Sequence, residues 1–495
     1  MTINDLLDEV LLDIFDFYRQ GVDSYDQWRG KYVWFNLTHV CRRWRAVIFA
    51  SSLRLDLGIT VGPIKPKDIE TILAGPLPIL IEYKCMYEEM TSSAIWRMRA
   101  ALKHHDRVRG IFFGGTSVWS NEFFRATNHS FPILERLTLV PLYGDELKLP
   151  ETFLGGQDVS DSHLRHLKLL RVSLRSIFRF LSSTSTLTGL HLEVDTAFGI
   201  SPETSLLACL QGMPCLSRLD LSISLESPSS VLTPGHNDIV PLSKLICFHY
   251  TGHSVSLDGL AAGLSAPSLR ELSMEFFDAI VFPIVHLTRF ITETEEHYHA
   301  VCVSFNARRF RLSLFARPEY VTHRWPPLER SRTQRWSPES IMRMSDYLLT
   351  KLLTVEELCV NFALAEMDAE DCILWRRFYQ QFPSVKVLRT ESANYACIAF
   401  TLLRDREEPD DVLALFPALE EIELGNSGFW VHQTGRESEL AVFQPFVSAR
   451  QQAGRPVKVF FDPWLDLPGK HTRPKLWSIH WNTKLLADLA PVRNV

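Results

Sequence analysis

What this 495-residue chain lacks narrows its class. None of its nine cysteines stands at CxxC spacing from another, so no zinc ribbon or dithiol redox motif is present. An odd, scattered set, including Cys41, Cys209, Cys302 and Cys397, reads as free thiols of a reducing compartment. Positive charge is not in excess: the formal net charge is -6, the wrong balance for neutralising phosphates, so no nucleic-acid partner is expected. No uninterrupted apolar run reaches the length of a membrane span, and no membrane partner is expected. The opening stretch MTINDLLDEVLLDIF carries Asp5, Asp8 and Glu9 and no basic residue, which is not the pattern of a secretory signal. The expectation is a cytoplasmic or nuclear protein.

Motifs with chemistry are also missing. EEHYH (Glu295, Glu296, His297, His299) lacks the HExxH spacing, and His104 with His105 is no better, so no metal is expected. GNSGF around Ser427 is not a nucleophile elbow, and GIFFGG has no lysine to meet a phosphate. Neither a cofactor nor an enzymatic activity is expected.

What is present is a globular composition, 46% hydrophobic and 22% charged, with two kinds of pattern. In the first, Leu7, Leu11, Ile14 and Tyr18 repeat at helical steps, with Leu6, Val10 and Phe15 beside them. Acidic residues crowd the start, where a helix dipole favours them. After the polar stretch RQGVDSYDQWRGK, HVCRRWRAVIFASSLRLDL places Val40, Trp44, Val47 and Ile48 on one stripe and Arg42, Arg43 and Arg45 mostly off it. Short helices of this kind need something to pack on.

These segments resemble the F-box. The match lies on Leu6, Glu9, Val10, Leu11, Ile14 and Phe15, then on Leu37, Val40, Cys41, Arg42, Arg43 and Trp44. Leu7 stands where the family usually has proline, which removes a preset helix-start geometry. The link between the two halves is longer than usual, as suits a fungal (basidiomycete-like) F-box protein. The resemblance implies docking on a Skp-family adaptor of a cullin–RING ubiquitin ligase by helix-in-groove recognition. The contact residues it implies are Leu6, Leu7, Val10, Leu11, Ile14, Phe15, Leu37, Val40, Cys41 and Trp44.

The second pattern is a recurring phrase, hydrophobic-x-x-hydrophobic-x-hydrophobic. It appears as FPILERLTLV, SHLRHLKLLRV, STLTGLHLEV, MPCLSRLDLSI, LSKLICFHYTG and APSLRELSMEF, and later as TVEELCVNFAL, FPSVKVLRTES and FPALEEIELGN. Its anchors Leu134, Leu164, Leu187, Leu216, Leu245 and Leu269 recur every 23 to 30 residues; Val355, Val385 and Leu419 follow. Each phrase predicts a short strand, and segments such as SLRSIFRFLSSTST and PETSLLACLQGM predict returning helices. SLRLDLGIT, LPILIEYK and RVRGIFFGG begin the array as degenerate units, while VCVSFN and FRLSLF bridge its middle. This region is similar to the leucine-rich repeats of fungal F-box proteins, in an irregular version.

The expected fold is therefore an α/β solenoid of irregular leucine-rich repeats over 59–461, preceded by a small all-α F-box of about three helices over 1–58. A proline- and arginine-rich loop is expected at 317–338, and a capping segment with Trp464, Trp477 and Trp481 at 462–495. Outward strand positions hold Arg136, Thr138, His166, Lys168, His191, Arg218, Asp220, His249, Glu271 and Ser273. Of these, Arg136, Lys168, His191, Arg218, Asp220, His249 and Glu271 are the candidates for contacting an unknown protein substrate. The expected function is substrate recognition for an SCF-type ligase in ubiquitin-dependent degradation. The alternative is a non-ligase repeat scaffold whose N-terminal helices cap the solenoid. A receptor would expose Leu11, Ile14 and Trp44, whereas a cap would bury them on the repeats.

Overall fold

In the computed structural model of the chain, the described residues are 6–20, 37, 39–51, 59–61, 73, 78–84, 92–141, 148–156, 163–172, 174–195, 202–224, 239–277, 283–305, 309–317, 338–362, 369–390, 415–425 and 436–462. The interior of the 317–338 loop and the tryptophans of the expected C-terminal cap lie outside them. The chain forms two compact units. One comprises Met1–Leu269 with Val285–Thr294, the other Arg270–Ile284 with Glu295–Val495.

The first unit begins with two helices, α1 (Asp8–Gln20) and α2 (Arg42–Ala50). Asp8 and Glu9 occupy the first turn of α1, where they meet the positive end of the helix dipole. Without the family's proline, the first turn still closes, because the Leu11 N–H donates to the Leu7 carbonyl at 3.1 Å. Cys41 caps α2: its backbone is extended and its sulfur accepts from the Trp44 N–H at 3.4 Å.

Within this unit, β1 (Ile59–Val61), β2 (Ile79–Lys84), β3 (Val108–Gly115), β4 (Arg136–Pro141), β5 (His166–Val172), β6 (Gly189–Asp195), β7 (Arg218–Ser224) and β9 (Cys247–Gly252) lie side by side in chain order, all parallel. The two-residue β8 (Val240–Pro241) pairs separately with β10 (Leu264–Ser265). Parallel neighbours require crossovers. These include α3 (Ser92–Leu102), α4 (Ser117–Ala126), α5 (Leu174–Ser182) and α6 (Pro202–Gln211); α7 (Ser254–Ala262) and α8 (Val285–Thr292) follow β9. Between β4 and β5 the described residues include a 3-10 turn, Phe153–Gly155. There Phe153 packs on Phe123, Phe124 and Phe180, and Gly155 takes φ +85, where a side chain would press on the Ser130 backbone.

The register explains the repeating phrase. One row across the sheet reads Ile81, Ile111, Leu137, Leu167, Leu190, Leu219 and Phe248; a second reads Tyr83, Phe113, Leu139, Leu169, Leu192, Leu221 and Tyr250. Every one of these side chains is buried, as are the anchors Leu134, Leu164, Leu187, Leu216, Leu245 and Leu269. Each anchor turn also docks on its predecessor through paired backbone donors. The N–H groups of residues 165 and 166 reach the Glu135 carbonyl, those of 188 and 189 the Arg165 carbonyl, and those of 217 and 218 the Thr188 carbonyl.

The second unit repeats this device. The N–H groups of Glu356 and Glu357 meet the His299 carbonyl, those of Lys386 and Val387 the Glu356 carbonyl, and those of Glu420 and Glu421 the Lys386 carbonyl. Its strands are β11 (Glu271–Phe276), β12 (Ala300–Phe305), β13 (Phe310–Phe315), β14 (Glu357–Phe362), β15 (Val387–Thr390), β16 (Glu421–Gly425) and β17 (Lys458–Asp462), in the order β11–β13–β12–β14–β15–β16–β17. Helices α9 (Pro338–Leu352), α10 (Ala369–Gln380) and α11 (Arg436–Gln452) connect the parallel members. VCVSFN and FRLSLF do continue the array, but as an antiparallel pair, with β13 antiparallel to both of its neighbours. Only residues 306–309 join them, too short for a crossover and right for a hairpin. The inner row reads Leu272, Leu314, Val301, Leu358, Leu388, Ile422 and Val459.

Both units therefore have the strand-per-repeat, solenoid-like organisation of leucine-rich repeats. The row leaves no room for truncation at its centre. Leu219→Ala is expected to lower the unfolding free energy by about 2–5 kcal/mol, read as a reduced midpoint in urea denaturation. Thr138→Ala, on the opposite, half-exposed face, should stay within about 0.5 kcal/mol of the parent.

Candidate binding surfaces

The helical pair divides the ten expected adaptor contacts into two sets. Leu11, Phe15 and Trp44 are buried in a cluster with Leu12, Val47 and Ile48, against which Leu6, Leu37 and Cys41 pack. The Phe15 and Trp44 rings meet at 4.8 Å between centroids. Arg43 fastens the helices by donating to Asp8 at 2.7 Å and to the Leu6 carbonyl at 2.5 Å. Leu11 and Trp44 are thus not a surface patch, and among the described residues their cluster is made of the two helices and the segments that flank them. They hold the two helices to each other, because a pair this small must spend its largest side chains on its own core.

The exposed set is Leu7, Val10, Ile14 and Val40, at 70%, 41%, 42% and 58% exposure. Phe17, which helical spacing singles out but the family pattern does not, is 78% exposed and extends the row. Residues 7, 10, 14 and 17 advance by three, four and three, so they form one stripe on the side of α1 away from its buried face. Val40 does not continue the Trp44–Val47–Ile48 stripe as expected. It precedes the cap residue Cys41, outside the helix whose periodicity would have turned it inward.

The second surface is the outward face of the first unit's sheet. One row carries Arg136, His166, Gly189, Arg218 and Cys247, and the next Thr138, Lys168, His191, Asp220 and His249. His166 and Arg218 are exposed, while Arg136, Lys168, His191, Asp220 and His249 are half-buried. Three of the expected contact residues converge on the carboxylate of a fourth, Asp220. Arg218 Nε lies 3.0 Å from Asp220 Oδ2, His191 Nδ1 lies 3.4 Å from the same oxygen, and His249 Nδ1 lies 2.9 Å from Oδ1. The His249 approach is an ion-pair contact rather than an aligned hydrogen bond. Burial alone would raise the Asp220 carboxyl. The hydrogen bond from His191, the close approach of His249 and the charge of Arg218 outweigh it, holding the group well below the usual carboxylate range. Cys247 completes the group, its sulfur 3.4 Å from His249 Nε2. Nothing in a C-x-H tripeptide signals this without the strand register.

Glu271, in the second unit, departs from the expectation of an exposed contact. It is buried, with the bulky Phe315 opposite it across the ladder. The charged centre of this unit lies elsewhere, where Arg389 reaches Glu423 at 2.7 Å and Glu357 at 3.1 Å. Burial would lower the Arg389 guanidinium, but the two carboxylates win and raise it. The EEHYH residues are drawn apart: Glu296 accepts from Arg270 at 2.9 Å, whereas His299 faces Glu356 and Glu357 at 3.7 Å.

No protein-family model matches the chain, and no curated protein matches it. Among solved structures it is similar to the leucine-rich repeat-containing protein LegL7 from Legionella pneumophila, at 11% identity and a TM-score of 0.25, over 77% of this chain and 91% of that one. So loose a superposition adds nothing to what the repeat geometry establishes. No helix among the described residues is long and apolar enough to cross a membrane.

Asp220→Asn should reduce stability at pH 7 by about 2 kcal/mol, the scale of hydrogen bonds to a charged group. Because the folded carboxyl titrates below its unfolded value, its contribution is complete above about pH 4 and fades as the pH falls further. The gap between parent and variant, followed by urea denaturation across a pH series, should close on the acid side.

Proposed function

We propose that the chain is the substrate-recognition subunit of an SCF-type cullin–RING ubiquitin ligase, its N-terminal helices docking on a Skp-family adaptor and its repeats holding a target protein. The observation that carries this reading is the solvent-facing stripe of Leu7, immediately before α1, with Val10, Ile14 and Phe17 on it. A helix that has already buried Leu11, Leu12 and Phe15 has no internal need for a second apolar face. Such faces are retained where a partner covers them. The F-box resemblance supports the same partner, with the contact set moved outward to Leu7, Val10, Ile14 and Val40. Leu11, Phe15 and Trp44 then act by holding the helices in position. The half-buried polar rows from Arg136 to His249 suit a protein target. In this role the chain contributes proximity, raising the effective concentration of target near the charged enzyme, and performs no transfer chemistry itself.

The second reading, a repeat scaffold outside any ligase, draws on the completeness of the helical core, which stands without an adaptor. Co-expression with a Skp-family adaptor separates the two. Each large apolar side chain buried is worth roughly 1.5–3 kcal/mol. Leu7→Asp with Ile14→Asp should therefore weaken the complex at least about 100-fold while leaving the circular dichroism spectrum unchanged. Failure of the parent chain to bind, or equal binding by the double variant, would return the helices to a purely structural role.

A further inference from the structure

The first unit's sheet carries one group of metal-ligating side chains whose donor atoms converge. One donor each from Asp220, Cys247 and His249 lies within 4.8 Å of the others, the one such group among the described residues. Cys247 and His249 share a face because they are two residues apart on β9. Asp220 stands opposite His249 on β7, and His191 opposite Asp220 on β6. We infer that these four residues form a site for a borderline-soft divalent transition metal of the zinc class.

Three features support it. First, the spacing fits. Tetrahedral zinc, with bonds of about 2.3 Å to sulfur and about 2.0–2.1 Å to nitrogen, separates those two atoms by about 3.5 Å; Cys247 Sγ and His249 Nε2 lie 3.4 Å apart. Second, the donor types select. A thiolate, two imidazoles and one carboxylate suit zinc or cobalt, whereas magnesium and calcium demand oxygen throughout. Third, the charge closes. A thiolate and a carboxylate together neutralise a divalent ion.

Arg218 is the competitor built into this site. Its Nε is 3.0 Å from Asp220 Oδ2 and its Nη2 is 3.4 Å from His249 Nδ1, so it supplies the positive charge the metal would bring. Its side chain is 53% exposed, which lets it turn into solvent as the ion enters. Binding exchanges an arginine for a metal on the outward face and releases the Cys247 proton to solvent.

The test is a titration of the full-length chain, kept reduced with a phosphine, with cobalt(II) followed by zinc. One equivalent of cobalt should give a thiolate-to-cobalt charge-transfer band and the intense visible bands of a four-coordinate ion, both lost on adding zinc. Cys247→Ser should abolish the charge-transfer band, and His249→Ala should weaken binding at least about tenfold. Cys215→Ser, in the same unit but outside the group, should leave both intact. Arg218→Gln removes the competing charge and should tighten binding about fivefold, corresponding to about 1 kcal/mol between charges at this distance. Absence of the band in the parent chain, or its persistence in Cys247→Ser, would overturn the inference. Should the Cys247 or His249 variants unfold, Arg218→Gln decides, and unchanged or weaker binding there overturns it equally.

Discussion

The rows of buried side chains that run across the strands, from Ile81 to Phe248 and from Tyr83 to Tyr250, are the contact on which the first unit depends. A strand and a short helix cannot cover their own apolar faces, so each repeat is stable only where a neighbour lies one parallel step away. The anchor turns reinforce that step. Their paired N–H groups take the preceding repeat's carbonyl as acceptor, so the interval is set by backbone as well as by leucine packing. The same device recurs in the second unit, around a hairpin that reverses one strand without interrupting the inner row.

A parallel register has a further consequence on the opposite face. Strand residues two apart share a side, and in-register neighbours bring equivalent positions of successive repeats together. Side chains separated by some thirty residues, such as His191, Asp220 and His249, therefore come within hydrogen-bonding reach. The half-buried setting strengthens their mutual field, which is why one aspartate can organise two histidines and an arginine. Recognition and metal-binding proposals for this face both arise from that convergence.

The N-terminal helices obey a different economy. Two short helices with one cluster between them must assign every large side chain either to their own cohesion or to a surface. Leu11, Phe15, Trp44, Val47 and Ile48 have the first task, while Leu7, Val10, Ile14 and Phe17 remain on the outside. The proposed adaptor binding would then be a property of one face of α1, supported from behind by buried residues.

Much of this was legible in the chain itself. Period and phrase named the repeats, the inward leucines and the returning helices, because a fixed self-similar spacing is a local property. Helical spacing likewise marked α1 and α2. Which face of α1 is buried was not local: Leu7, Val10 and Leu11 are all apolar, and the packing of Trp44, Val47 and Ile48 from the second helix decides among them. Val40 falls outside its expected stripe because Cys41 caps the helix first. The hairpin at Ala300–Phe315 and the burial of Glu271 beside Phe315 depend on strand order. The Asp220 group depends on register across three strands. Composition and periodicity thus determined the elements and their inner faces. Tertiary structure alone decided which polar residues meet, because pairing between distant segments leaves no mark within either one.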